Sequence, residues 1–217
     1  MNIDKLIKAY FGTGSQPPVI EVFDSDSIFS VYKDIVSVLD KDPDIELTVL
    51  QALSYCFYEI LDNVLTHSGK SVGSVLTAYS EKESIIQVLV ADDGVGIRRS
   101  LASSEKYRDI SEAEALKMCV EDSVSDGKGM GFGLYSTMRL IKEAGVVLKI
   151  HSGTHILMSD GRQVTVEEAS MWQGTLVYFE VHANKEINPD DVVDNRTDCA
   201  GEYNDMFDSD DNLDELW

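Results

Sequence analysis

Four short groups of residues in this sequence have types and spacings that could do chemistry. The first is Glu59-Ile60-Leu61-Asp62-Asn63, where a carboxylate and a carboxamide stand four residues apart. On a helix that spacing stacks the two side chains along one edge. Leu50, Leu53, Phe57, Ile60, Leu61 and Val64 form an apolar stripe there, so the edge is the rim of a core. A carboxylate in that place could take a proton from an attacking hydroxyl or water. The amide oxygen of Asn63 is a hard ligand suited to magnesium bridging phosphates. Alone, Glu and Asn at helical spacing usually face solvent.

The second group, Ala91-Asp92-Asp93-Gly94-Val95-Gly96-Ile97, follows an apolar run. Gly94 and Gly96 let the backbone turn sharply and approach a ligand, while Asp92 could accept a hydrogen bond from an exocyclic amine. An isolated Asp-Gly pair is more often a plain turn. The third group is Gly127-Lys128-Gly129-Met130-Gly131-Phe132-Gly133-Leu134, ahead of a helical pattern. Alternating glycines leave N–H groups free to cradle phosphate oxygens, and Lys128 adds a point charge. It lacks the Gly-Lys-Ser/Thr ending of a P-loop and does not follow the first strand of a βαβ unit, and a flexible hinge would look similar. In the fourth, Gly174-Thr175, the threonine hydroxyl could reach a ligand's polar edge.

The elements that must position these groups follow from periodicity. Val19 to Phe23 predicts a strand, Asp24 to Leu39 a helix with Asp or Ser caps, and Asp44 to His67 a second helix stopped near Gly69. Strands are expected over 71–80 and 84–91. A long connection then runs from Gly94 to Gly127, helical over 111–124. A helix over 133–144 precedes strands at 146–150, 155–159 and 174–181, with a turn at Asp160-Gly161. Helices sorted among strands predict a two-layer α/β sandwich, a mixed sheet with helices on one face. The expected organisation is an N-terminal segment 1–18, one domain over 19–183, and an acidic, disordered tail over 184–217.

The 217-residue chain carries a net charge of -21. That balance argues against a general nucleic-acid or anionic-membrane surface. From Asp190 to Trp217 eleven acidic residues face Arg196 alone, which reads as a solvating tail or as an acidic-hydrophobic partner motif. Cys56, Cys119 and Cys199 lack metal-ligand spacing and read as reduced thiols. No secretory or membrane-spanning run is visible, so a cytoplasmic protein is expected.

Taken together, the four groups resemble the GHKL superfamily of histidine kinases, gyrase-type ATPases, mismatch-repair ATPases and anti-sigma serine kinases. Glu59 and Asn63 match its Glu-x-x-x-Asn box, and Asp92, Gly94 and Gly96 its Asp-x-Gly-x-Gly box. Gly129, Gly131, Gly133 and Leu134 match Gly-x-Gly-x-Gly-Leu, and Thr175 matches the closing Gly-Thr. The resemblance implies bound ATP and magnesium. Asp92 and Thr175 would hold adenine, Asn63 the metal, the stretch 127–133 the triphosphate, and Glu59 would be the general base, under a lid of residues 98–126.

Two departures narrow the subtype. Thr66 stands where histidine kinases often carry lysine. His67 after it reads either as a structural histidine or as one approaching the nucleotide. His67, His151, His155 and His182 are the only histidines, and none resembles a phospho-accepting helix. The architecture looks most like stand-alone serine kinases of STAS-type partners in bacterial-type regulation. The expected function is an ATPase or serine/threonine protein kinase acting on a protein partner. The alternative is a non-hydrolysing, nucleotide-dependent binding module.

Overall fold

A computed structural model describes residues 3–12, 17–127 and 133–193. Five strands form one sheet: β1 Val19–Phe23, β2 Gly73–Ser80, β3 Ile85–Ala91, β4 Gly145–Ser159 and β5 Val164–His182. Their order is β1-β2-β3-β5-β4. All four pairings are antiparallel where a mixed sheet was expected. For β2–β3 and β4–β5 the short turns that join them require it, since only antiparallel neighbours accept such turns.

Helices α2 (Ile28–Asp40), α3 (Leu47–His67) and α6 (Gly133–Ala144) pack on one face. The stripe Leu50, Leu53, Phe57, Ile60, Leu61 and Val64 of α3 is buried against Val75, Val88, Val90, Val177 and Phe179 of the sheet. Alternate strand residues therefore face this core, as a period of two requires. Two helix starts come later than expected. Asp24 Oδ1 accepts from the amide and hydroxyl of Ser27, so 24–27 form a turn ahead of α2. Asp42 Oδ1 likewise accepts from the Asp44 amide, delaying α3 to Leu47.

The sheet's second face is covered too. A short helix α1 (Ile3–Leu6) continues into a π-helical turn over Ile7–Phe11. Leu6 and Phe11 pack there on Leu76, Leu89, Leu176 and Tyr178. Burial of two such side chains contributes about 1.5–3 kcal/mol each, so the N-terminal segment is part of the domain's packing. At the other end a short helix α7 (Asp190–Val193) sinks Val192 into the main core. The fold thus extends past residue 184; positions 194–217 of the expected tail lie outside the described residues, Cys199 among them.

β4 is continuous where two short strands, 146–150 and 155–159, were expected, and β5 begins at Val164, ten residues before the expected 174–181. Their far halves pair as Gly153↔Trp172 and His155↔Glu168, with bulges at Gly153. The turn at Asp160-Gly161 rests against Ile141 and Lys142 of α6. The segment 164–173 is mostly exposed, so it has no alternating apolar face to betray it as a strand. None of the described helices is long and apolar enough to cross a membrane.

Candidate functional site

The long connection between β3 and α6 folds into a small unit of its own. It holds helices α4 (Ile97–Leu101) and α5 (Glu112–Met118), with a 3-10 turn over Glu105–Tyr107. Leu101, Tyr107 and Ala115 form a satellite core inside it. Ser111 starts α5 with a reciprocal capping box to Glu114. The helix stops at Met118, short of the expected 124. Ser123 takes a left-handed conformation at φ 59°, which turns Val124, Ser125 and Asp126 back toward α3.

Between this lid, α3 and the sheet lies a cavity of about 110 Å³. Its lining includes Asn63, Asp92, Gly96, Gly133, Leu134 and Thr175. Residues from four distant stretches of sequence thus meet in one place.

Asp92 ends β3, buried at 5 % exposure. Its Oδ1 accepts the Gly94 amide at 2.7 Å, and its own amide donates to the Thr175 carbonyl at 3.0 Å. Burial pushes the Asp92 carboxyl above the usual aspartate range, while hydrogen bonds from Gly94 and Thr175 pull the other way. A buried carboxylate wants a donor, and an exocyclic amine supplies one. Gly96, with φ +79°, adopts a backbone that favours glycine, and a Cβ there would meet Ser152 Oγ at 2.7 Å. Gly94 packs behind the cavity against Ser68, whose carbonyl accepts the Val95 amide at 2.8 Å. It seats the loop on the end of α3 and does not line the cavity.

At the opposite end, Gly133 starts α6 hard against α3. A Cβ on it would lie 2.9 Å from Asn63 Nδ2 and 3.0 Å from Glu59 Cβ. Glu59 and Asn63 therefore sit side by side where the glycine-rich stretch enters α6, Asn63 lining the cavity and Glu59 just beyond it. Leu134 is half-buried in the cavity wall. Lys128, Gly129 and Gly131 lie outside the described residues.

The residues present fit magnesium that arrives with phosphates. Among the described residues no cluster of three His, Cys, Asp or Glu could hold an ion unaided. Asn63 offers one hard oxygen, and magnesium commonly takes one or two protein ligands with the rest from phosphate and water.

The sequence reading missed two contacts. His67 lines the cavity, and its Nδ1 lies 3.0 Å from Asp126 Oδ1. Glu112 Oε2 accepts from the amide and hydroxyl of Thr154 at 2.9 and 2.6 Å and lies 3.3 Å from His155 Nδ1, pinning α5 to the β4–β5 hairpin. Those Thr154 bonds, ahead of His155, hold the Glu112 carboxyl below the usual range. Cys119 also lines the cavity; burial pushes its thiol up to about 12, so it acts as an apolar wall.

No curated protein matches the chain. The family described as histidine kinase-, DNA gyrase B-, and HSP90-like ATPase matches residues 48–185, from the first turn of α3 to just past β5. That span holds every residue lining the cavity. The chain belongs to the histidine kinase-, DNA gyrase B- and HSP90-like ATPase family.

Proposed function

We propose that this protein binds ATP with magnesium and acts as an ATPase or as a serine/threonine protein kinase on a protein partner. The observation that carries the reading is the polarity of the cavity. A buried carboxylate with Thr175 beside it marks one end, and Glu59 with Asn63 the other. Adenine would donate its amino group to Asp92, with the Thr175 hydroxyl at the ring's edge. Asn63 would hold magnesium, which neutralises charge on the phosphates when bound. Glu59 would accept a proton from the attacking water or hydroxyl, so that catalysis is by positioning and electrostatics.

Lining the cavity with Ile60, Val64, Val90, Ile97, Leu101 and Val177 excludes water and strengthens each of those polar contacts. The acceptor hydroxyl would approach past Gly133, beside Glu59. The partner would be a protein of STAS type, as the resemblance to anti-sigma serine kinases implies. With a net charge of -21 the partner would not be a nucleic acid or an anionic membrane.

Glu59→Ala tests the reading. The expected result is nucleotide affinity within about threefold of the parent, with phosphate release or transfer lowered roughly 10²–10⁴-fold. Turnover unchanged by that substitution would remove Glu59 from the chemistry. Binding without any turnover in the parent would favour the alternative, a nucleotide-dependent binding module whose effect equals the differential affinity of ATP for its two lid states.

A further inference from the structure

A second cavity, of about 180 Å³, lies between the start of α4, α5 and the β4–β5 hairpin. Gly96 and Ile97 line both cavities, so the loop after β3 is their shared wall. Arg98, Arg99 and Glu112 are the charged residues of the second lining, with Met171 and Trp172 in the same wall. The Glu112 carboxylate is already taken, accepting the amide and hydroxyl of Thr154. Arg98 Nε donates to the Ile110 carbonyl at 3.0 Å, whereas Arg99 has no hydrogen bond or ion pair among the described residues. Trp172 Nε1 donates to Asp92 O, which fixes the indole, and Met171 beside it is 63 % exposed. Guanidinium groups next to a fixed aromatic ring suit an acidic segment that also carries bulky apolar side chains. Both parts are needed, because an exposed Arg–carboxylate pair contributes little alone.

The sequence contains such a segment. Phe207 to Trp217 carries five acidic residues and no basic one, together with Phe207, Leu213, Leu216 and Trp217. The chain leads toward it from α7, which lies against α6 and α3. Just before α7, the Ile187 amide donates to Thr48 Oγ1 in the first turn of α3. The second cavity lies past the other end of α3, where Val95 of its lining donates to Ser68 O. With 21 residues α3 is about 30 Å long. Residues 194–206, fully extended, reach about 45 Å, enough to bring 207–217 to the cavity in the same molecule. Tethering supplies an effective concentration on the order of mM, so weak contacts suffice to hold the segment there. A net charge of -21 repels an acidic segment from the body at large, which favours a place where arginines outnumber free carboxylates. We propose that residues 207–217 dock in this second cavity of their own chain, carboxylates on Arg98 and Arg99 and apolar side chains on Met171 and Trp172. The docking needs no nucleotide in the first cavity.

The chain's two tryptophans report on the two sides of this contact, Trp172 in the cavity and Trp217 in the segment. The full chain labelled with 5-fluorotryptophan gives two fluorine resonances, assigned with Trp217→Phe. At low salt the Trp217 line should be broad and shifted from that of a synthetic peptide of residues 203–217. Arg99→Glu leaves the Arg98 bond to Ile110 in place. In that variant the Trp217 line should narrow at least about threefold toward the peptide's, and the Trp172 line should move with it. Asp214→Lys combined with Glu215→Lys should do the same. It changes nothing in residues 3–193, so it decides the matter if Arg99→Glu does not fold. A parent Trp217 line that matches the free peptide overturns the proposal, as does a shifted line that neither charge reversal moves. Narrowing on about tenfold dilution would place the segment on a second copy and overturn docking within one chain.

Discussion

The two walls of the cavity are built differently. The sheet wall is overdetermined. Around Asp92 to Ile97, Thr175 O accepts the Asp92 amide, Ser68 O the Val95 amide and Ser152 Oγ the Ile97 amide, while Trp172 Nε1 donates to Asp92 O at 3.2 Å. Ser152 Oγ in turn donates to Gly174 O at 2.9 Å. The lid wall has its own small core, sends Leu116, Cys119 and Val120 into the main core, and is tied at its edges by two carboxylates, Asp126 inside and Glu112 outside. A loop tied by many backbone bonds keeps one shape; the lid wall relies instead on side-chain contacts. On the proposed reading, adenine would meet the wall tied by backbone hydrogen bonds.

Breaking the rigid wall should have the largest effect. Asp92→Asn keeps an oxygen for the Gly94 amide but loses the charge that an exocyclic amine would meet. A hydrogen bond to a charged group contributes about 1.5–3 kcal/mol, so ATP affinity should fall roughly 10–150-fold by calorimetry. Next is Gly133→Ala, whose Cβ would intrude on Asn63 and Glu59. Overpacking of this kind costs about 1–3 kcal/mol, visible as a lower denaturation midpoint, and turnover should drop with it. Thr175→Val should weaken ATP by about 0.5–1.5 kcal/mol, the size of one neutral hydrogen bond, and also lower stability, because the Thr175 side chain hydrogen-bonds to the buried Asp92 carboxylate.

Acid should separate the walls by sign. Asp92 takes up its proton above the ordinary aspartate range, so ATP affinity should begin to decline on acidification before an ordinary aspartate would protonate. Glu112 behaves oppositely. Its folded carboxyl is held low, so its fastening of lid to hairpin is present above the unfolded value and fades as pH falls through the folded one. Hydrogen exchange in α5 should therefore quicken only at the acid end, after affinity has already dropped. The reverse order would break the comparison.

What could be read from the sequence follows the same division. Asn63, Asp92, Gly96, Gly133, Leu134 and Thr175 were legible because each stands at a local signal, a helix spacing or a turn, and the structure brings them to one cavity. The apolar stripe of α3 and the sheet strands were legible because burial on one face writes a period into the chain. The lid's fastenings were not. Asp126 lies beside Gly127 in an acid-rich chain, where a buried carboxylate looks like any solvated one, and its partners Ser100 and His67 share no period with it. Glu112 and Thr154 meet across forty-two positions. The turn over Ile7–Phe11 escaped because its apolar positions are too few to announce a helix, yet Phe11 is buried against Tyr178. Asp126 fell within the long connection expected from Gly94 to Gly127, with no signal of its own.

The most direct test of the account is a calorimetric titration of the parent protein with ATP and with GTP in the presence of magnesium. Guanine presents a carbonyl where adenine presents an amine, and a buried Asp92 carboxylate would face it without a donor. ATP should bind at least about tenfold more tightly than GTP, with the difference lost in Asp92→Asn. Equal affinities, or no uptake of ATP by the folded chain, would contradict the assignment of this cavity as an adenine-nucleotide site.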